Sequence, residues 1–419
     1  MAKRQAVPAG SKFVIPPDLV AFCKQPSDAY DDFIRLTPSQ TSPLSVTTSE
    51  VRLQMEIPNT KSLRLNNIMA EMDLTPGFTS TDGDDKFADV KPQFVPLIPS
   101  IISRVTVNIG STTLLDIYGN DLRWNLKYWL KSNSISRLND LYLYPTTALA
   151  PTTQVATTVR FPLTFAENDL LSLKNGFLPT GKMQKMVIDI YFSPAANCMV
   201  HEGGDGTISL NYTVSNFVLK VEDMGSGTIA RALSTQPLRF SYTEWYYQYA
   251  PLTGSPSSMS LLIPNNFRYV QSVIAVIRKV SDITDITKAT KLKEFTSDMS
   301  PITKANVRLQ GQLRYNEPLS STIDMMHEIK KVWPPAASCD YFQNLTTNGT
   351  THNVIALRVG RSISPGVESG VDSSSWTAPA TLEVTWASPL TSANYQVDFF
   401  TLHTRYVTIG VNGQFMIEE

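Results

Sequence analysis

Cysteine, histidine and charge are all scarce in this 419-residue chain, and each scarcity narrows what the chain can do. The three cysteines, Cys23, Cys198 and Cys339, are odd in number and far apart, so they offer no disulfide framework. The four histidines, His201, His327, His352 and His403, form no His-rich pattern of the cupin kind. Charged residues make up 17% of the chain, against roughly 25% in an ordinary soluble domain. A surface so poor in charge is expected to face other protein, with a secreted β-protein as the alternative. Lys plus Arg number 36 and Asp plus Glu 37, a net charge of -1. A protein that coats nucleic acid by neutralising phosphates is strongly basic, and this one is not. No apolar run approaches the roughly 20 residues of a membrane-spanning helix. Pro8, Pro16 and Pro17 interrupt the stretch where a signal peptide needs an apolar core, so synthesis is expected in the cytosol.

What the chain does contain is a layout used twice. A strand closing on Ile57-Pro58-Asn59 is echoed half a chain later by one closing on Ile263-Pro264-Asn265. A strand-Gly-strand-helix unit from Arg104 to Trp129 returns from Val307 to Trp333, with Gly110 and Gly311 at the turns. Ser193-Pro194 and Ser388-Pro389 end corresponding strands. One β-rich fold used twice points to architecture more than to a reaction centre.

Three segments follow. Residues 1–45 read as an N-terminal arm, with a short helix opening at Pro17-Asp18 and an acidic turn from Ser27 to Arg35. Residues 46–226 read as the first β-domain. Val51, Leu53, Met55 and Ile57 alternate with polar residues, the period of a strand with one buried face. Strands are expected at 62–74, 105–109, 114–117, 159–165, 184–192 and 207–222, with a Gly- and Asp-rich loop at 76–90. Leu122, Leu126, Trp129 and Leu130 fall on one face of a helix, with Asn120 as its cap. After Gly225-Ser226-Gly227, residues 227–419 read as the second β-domain. It opens on an aromatic strand at 238–249 that contains Phe240, Tyr242, Trp245, Tyr246, Tyr247 and Tyr249. Further strands are expected at 257–263, 267–279, 353–359, 380–387 and 394–416. A helix from Ser321 to Trp333 has Ser321 and Asp324 at capping-box spacing and is stopped by Pro334-Pro335.

Candidate chemistry is thin. Gly176 to Lys182 matches a phosphate loop as far as the lysine, but Met183 stands where magnesium binding needs a hydroxyl. The residues that follow alternate as a strand, whereas a phosphate loop opens a helix. Asp82, Asp84, Asp85 and Asp89 offer oxygens of the type calcium takes, without an EF-hand glutamate, so an ion there stays open. His201, Glu202 and Asp205 lack a second histidine at helical spacing and read as an exposed turn. There is no Gly-x-Ser-x-Gly elbow. The aromatic strand reads as packing, with sugar or base stacking as the alternative, and Trp124 and Trp129 as anchors of their helix.

Each half thus supplies about eight short strands, long connections and one inserted helix. Parallel α/β folds need a helix after nearly every strand. Eight antiparallel strands in two packed sheets make a jelly roll. Three runs carry a further resemblance: Arg104-Val-Thr-Val-Asn-Ile-Gly-Ser-Thr-Thr-Leu-Leu-Asp-Ile-Tyr118 with its Trp-rich helix, Phe161-Pro-Leu-Thr-Phe165, and Leu178 to Phe192. In pattern and order over residues 46–419 the chain resembles the double jelly-roll major capsid proteins. That family includes the adenovirus hexon and the capsid proteins of tailless membrane-containing phages, virophages and large eukaryotic DNA viruses. The resemblance implies an all-β fold of two tandem eight-stranded jelly rolls with short inserted helices and an N-terminal arm. It implies a structural protein of the virion, not an enzyme, with no catalytic residue, metal or cofactor. Its partners would be itself, as a homotrimeric pseudo-hexameric capsomer in an icosahedral shell, and penton and minor capsid proteins. The basic arm, with Lys3, Arg4, Lys12 and Phe13, is expected to meet an inner membrane or the genome, with a tie between capsomers as the alternative. The rival readings are a two-domain carbohydrate-binding adhesin and a tandem jelly-roll enzyme.

Overall fold

The computed structural model describes residues 31–40, 42–58, 62–94, 101–119, 121–123, 126, 153–163, 177–179, 184–224, 235, 237–252, 254–263, 267–287, 300, 302–332, 354–360, 362–364, 367–368, 370–374, 378–390 and 394–418. The first half runs β1 (Asp31–Leu36), β2 (Leu44–Val46), β3 (Val51–Ile57), β4 (Ser62–Ser80), β5 (Gln93–Phe94), β6 (Ile102–Ile109), β7 (Thr112–Tyr118), β8 (Thr157–Pro162), β9 (Phe177–Pro179), β10 (Met186–Phe192), β11 (Met199–Val200) and β12 (Ile208–Met224). The second runs β13 (Leu238–Leu252), β14 (Ser258–Ile263), β15 (Val270–Lys279), β16 (Ile302–Leu309), β17 (Gln312–Leu313), β18 (Val354–Arg358), β19 (Ser362–Ser364), β20 (Val367–Glu368), β21 (Ala380–Trp386), β22 (Tyr395–Ile409) and β23 (Phe415–Glu418).

Each half folds into two antiparallel sheets with the same strand order. In the first half, β1-β12-β4-β8 pairs with a second sheet, β3-β10-β6-β7, while β2 joins β12 and β9 joins β4. In the second half, β13-β22-β15-β18 pairs with β14-β21-β16-β17, and β23 joins β22. The repeated sequence landmarks occupy matching places. Ile57 pairs with Met186 at the start of β10, and Ile263 pairs with Ala380 at the start of β21. The glycines serve the same tight turn at adjacent positions, a slip of one residue. Gly110 (φ 57) opens the β6–β7 turn, while Gly311 (φ 77) closes the β16–β17 turn after Gln310 (φ 48). Positive φ is the backbone that a two-residue hairpin demands and that glycine adopts without strain.

Several expectations need correction. The acidic turn from Ser27 to Arg35 is overtaken by a strand. In β1, Leu36 is buried and Ile34 packs against the first core, while Phe33 and Arg35 face outward. The loop drawn at 76–90 begins too early, because β4 continues through Pro76 and Gly77 to Ser80 against β12. The ladder with β8 has ended at Leu74, so Pro76 lies where β4 has a partner on one side only, a position that tolerates proline. The strand drawn at 394–416 is a hairpin of β22 and β23, turned by residues 410–414. The second helix is confirmed as Thr322–Val332. The Ser321 hydroxyl accepts the Asp324 amide at 3.1 Å and donates to the Asp324 carboxylate at 2.8 Å. The arm helix at 17–23, the linker 225–227, Trp124, Trp129 and Pro334-Pro335 lie outside the described residues.

The second half departs from simple alternation in its sheet of β13, β22, β15 and β18. Along β15, Val273, Ala275 and Ile277 enter the core between the two sheets, while Ile274 and Val276 enter a second cluster on the opposite face. Likewise, Val397 and Phe399 of β22 face inward, and Phe400 and Leu402 face outward. A sheet buried on both sides reads as a continuous apolar run, which is why 273–277 carries no period-two signal.

Candidate functional site

The outer face of that sheet is buried by the other jelly roll together with the helix Thr322–Val332 of its own half. Leu122 and Leu126, just beyond β7, join Trp245, Ile274, Val276, Phe400 and Leu402 in one cluster, completed by Ile329 of the helix Thr322–Val332. The Arg123 guanidinium lies 5.5 Å over the Trp245 ring. Gly119 (φ 66) makes the approach feasible, since a Cβ there would come within 2.7 Å of Cδ2 of Tyr247.

A second joint lies at the far ends of β13 and β22. These strands outrun β15, whose pairing with β22 reaches only to Val270 and His403. Beyond that point, β13, β22 and β23 form a three-stranded extension. Its Leu238, Phe240, Tyr242, Val407 and Ile409 belong to the core of the first jelly roll, and Phe415 and Ile417 pack against it. Full burial of a large apolar side chain contributes about 1.5–3 kcal/mol, so these residues hold the halves together strongly.

Polar groups set the register of the seam. The Tyr242 hydroxyl donates to the Leu114 carbonyl of β7, which also accepts from Nη1 of Arg405 at 3.1 Å. The Asp116 amide donates to Glu244 Oε1 at 3.4 Å, and Glu244 Oε2 lies 2.9 Å from Nε of Arg405 and 3.4 Å from Nε2 of His403. His403 is fully buried and stacks on Phe267 at 3.9 Å; burial pushes its pKa down despite Glu244.

The densest cluster centres on Asp398, which has no exposed surface. It accepts Nε of Arg278 at 2.6 Å, the Tyr247 hydroxyl at 2.6 Å and Nε2 of Gln396 at 2.6 Å. Asp121, at the start of the first-half helical turn, feels both Arg278 and Asp398 across the seam. Burial pushes its carboxyl up to about 6, with Arg278 opposing and Asp398 reinforcing the shift. Tyr118 stacks obliquely on Tyr247 at 5.4 Å.

The residues singled out from the sequence fall elsewhere or serve structure. Lys3, Arg4, Lys12 and Phe13 lie outside the described residues. Of the phosphate-loop match, only Phe177–Pro179 is described, and it is a short strand paired with β4; the alternating residues that follow form β10. Asp85 of the acidic loop accepts the Ser80 hydroxyl and the amides of Asp205 (3.0 Å) and Gly206 (3.1 Å). Those hydrogen bonds, Ser80 first, hold its carboxyl below the usual range. It thus ties the two acidic turns together. His201 Nδ1 lies 2.8 Å from the Gly203 carbonyl, and Glu202 pairs with Lys91 at 3.6 Å. Among the described residues, no three His, Cys, Asp or Glu side chains gather as metal ligands do. No helix among them is long and apolar enough to cross a membrane. The aromatic strand is β13, and its Tyr242 and Trp245 are spent on the seam. The sequence reading missed the seam itself. The one local signal was Phe240, Tyr242 and Trp245 on both faces of a single strand, more apolar surface than one sandwich interior needs.

No protein-family model matches the chain, and no curated protein matches it. Solved structures do. The chain is similar to VP54 of PBCV-1, in a crystal structure fitted into a reconstruction of the virophage Sputnik, with 14% identity, 94% of this chain and 98% of that chain covered, and a TM-score of 0.62. It is similar to the Faustovirus major capsid protein, with 8% identity, 91% of each chain covered and a TM-score of 0.62. It is similar to the mavirus major capsid protein, with 10% identity, 100% and 93% covered and a TM-score of 0.51. At such identities the likeness is one of fold, and that fold is the double jelly roll.

Proposed function

We propose that this chain is a major capsid protein, a structural protein whose work is assembly rather than catalysis. The observation that carries the reading is the seam. Two jelly rolls of identical strand order are welded through a shared core and a buried polar network into one block, and the structurally similar proteins named above are capsid proteins. A rigid block with two similar lobes gives a six-fold-like outline when three copies meet around a three-fold axis, and such an object tiles a hexagonal lattice. Low overall charge supports wide contact with other protein, because desolvating unpaired charge is unfavourable. In this proposal the first jelly roll, set at 46–226 from the sequence, also takes in β1 and β2, which pair with β12, so the arm shortens to the residues before Asp31, and 227–419 forms the second jelly roll.

In this reading the chain resides in the virion shell as a homotrimer among neighbouring capsomers, penton and minor capsid proteins. The arm, through Lys3, Arg4, Lys12 and Phe13, meets an anionic interior, either lipid or genome. Each basic residue near an anionic membrane contributes about 1 kcal/mol, so three assist the contact without dominating it. Light scattering and electron microscopy of the purified chain test the reading: trimers or shells support it, and a monomer across the micromolar range at several salt concentrations overturns it. Deletion of residues 1–12 tests the arm. Shells that form but lose their interior layer support the interior role, whereas trimers that no longer close into shells make the arm a tie between capsomers.

A further inference from the structure

The seam within the chain has a direction. One jelly roll offers an edge: strand β7 and the helical turn after it. The other offers a face: the outer side of the sheet containing β13, β22 and β15. The same two parts exist in the opposite halves, where the described residues leave them open. The second half has its own edge, formed by the β16–β17 turn and the start of the helix Thr322–Val332. There Leu313 and Ile323 are exposed, Ile323 at 75%. The first half has its own face, the outer side of β1, β12, β4 and β8, where Phe33 is 57% exposed. Among the described residues, an edge and a face of the same design thus each carry exposed apolar side chains, an arrangement suited to head-to-tail contact, the heterologous kind that can close into rings.

The charges fit. On the open face, Glu71 is largely covered and gathers Nζ of Lys220 at 2.6 Å, Nε of Arg160 at 2.6 Å and Nη2 of Arg35 at 3.9 Å. The carboxylate lies beneath, while the Arg35 and Arg160 side chains remain 64% and 61% exposed, so an approaching surface meets guanidinium groups first. The open edge presents Glu317 and Asp324, both exposed, beside the half-buried Arg314, which leans on Tyr315 at 5.9 Å. The seam within the chain has the same sense. Its edge brings Asp121 to the Arg278 of the face, and Arg405 of the face reaches the edge strand at the Leu114 carbonyl.

We propose that the edge formed by Leu313, Glu317, Ile323 and Asp324 docks on the face formed by Phe33, Arg35, Arg160 and Lys220 of a second copy of this chain. This rests on the capsid reading and specifies which surfaces join the copies. Electrostatic complementarity of this kind fixes register and penalises like-charge juxtaposition.

The test is a charge-reversal cycle on the full-length chain. Glu317→Arg and Arg160→Glu are each expected to raise the concentration at which the oligomer half-dissociates by about tenfold or more at low salt. The double variant is expected to restore most of the loss. Far-UV circular dichroism confirms that each variant folds. In parallel, Phe33→Cys and Ile323→Cys in one chain are treated with a short bis-maleimide, and cross-linked dimers and trimers carrying the 33–323 link are expected. An oligomer that forms normally in every variant and yields no such link overturns this docking and leaves the capsid reading standing. A wild-type chain that stays monomeric overturns both.

Discussion

Replacing Arg278 with methionine should loosen the whole block, because it strips Asp398 of its guanidinium without giving the carboxylate water. Asp398 has no exposed surface and accepts hydrogen bonds from Arg278, Tyr247 and Gln396, each at 2.6 Å. Removing one member of a buried pair typically costs about 3–5 kcal/mol. Two neutral donors remain here, so the expected cost is near the lower end, about 3 kcal/mol. The double replacement Arg278→Met with Asp398→Leu removes both charges. It leaves the Tyr247 hydroxyl and the Gln396 amide seeking acceptors, which costs about 1–3 kcal/mol, so it should be no worse than the single variant. Equilibrium urea unfolding, followed by tryptophan fluorescence and far-UV circular dichroism, measures both. Trp245 sits in the seam cluster and reports its opening. A single variant that loses less than about 1 kcal/mol refutes the argument, as does a double variant whose loss equals the sum of the two singles, since independent sites add.

Three further outcomes follow from the seam. Asp121 has a raised folded-state pKa, so its contribution to stability is complete below its ordinary value of 3.8 and is lost as pH rises through about 6. Asp121→Asn should therefore gain about 1–2 kcal/mol over wild type at pH 7.5 and little at pH 4, a figure kept below the full shift because the residue retains some exposure; equal gains at both pH values would contradict the assignment. Gly119→Ala should cost about 1–3 kcal/mol in the same urea assay, because the new methyl meets a Tyr247 ring already held by Tyr118 and Phe400. Residues 227–419 expressed alone should aggregate, since Leu238, Phe240, Tyr242, Val407 and Ile409 lose their cover, and co-expression with residues 1–226 should rescue solubility; a soluble, cooperatively folding second half would refute the shared core.

The strands were legible where burial is one-sided. Val51 to Ile57 alternates because β3 has one buried face, and Ala380 to Trp386 does so for the same reason. The capping box at Ser321 and Asp324 was legible because it is a contact between near neighbours. Legibility failed at β1, where two aspartates obscured the alternation of Phe33 to Leu36, and at Pro76, which ends a strand only when both of its edges are paired. The acidic loop was legible as a cluster but not as a tie, because the amides that Asp85 holds belong to residues 205 and 206.

By itself, then, the amino-acid sequence determined the strands with one buried face and that one layout occurs twice, since period-two alternation and turn glycines are properties of a few consecutive residues. Only the tertiary structure decided that the two jelly rolls form one block. Leu114 meets Arg405, and Asp121 meets Arg278, across separations that leave no trace in any local pattern. A strand buried on both faces looks the same whether its second face meets a helix, another jelly roll or another molecule. Which of these it meets is set by the packing of whole sheets, and no single stretch of sequence records it.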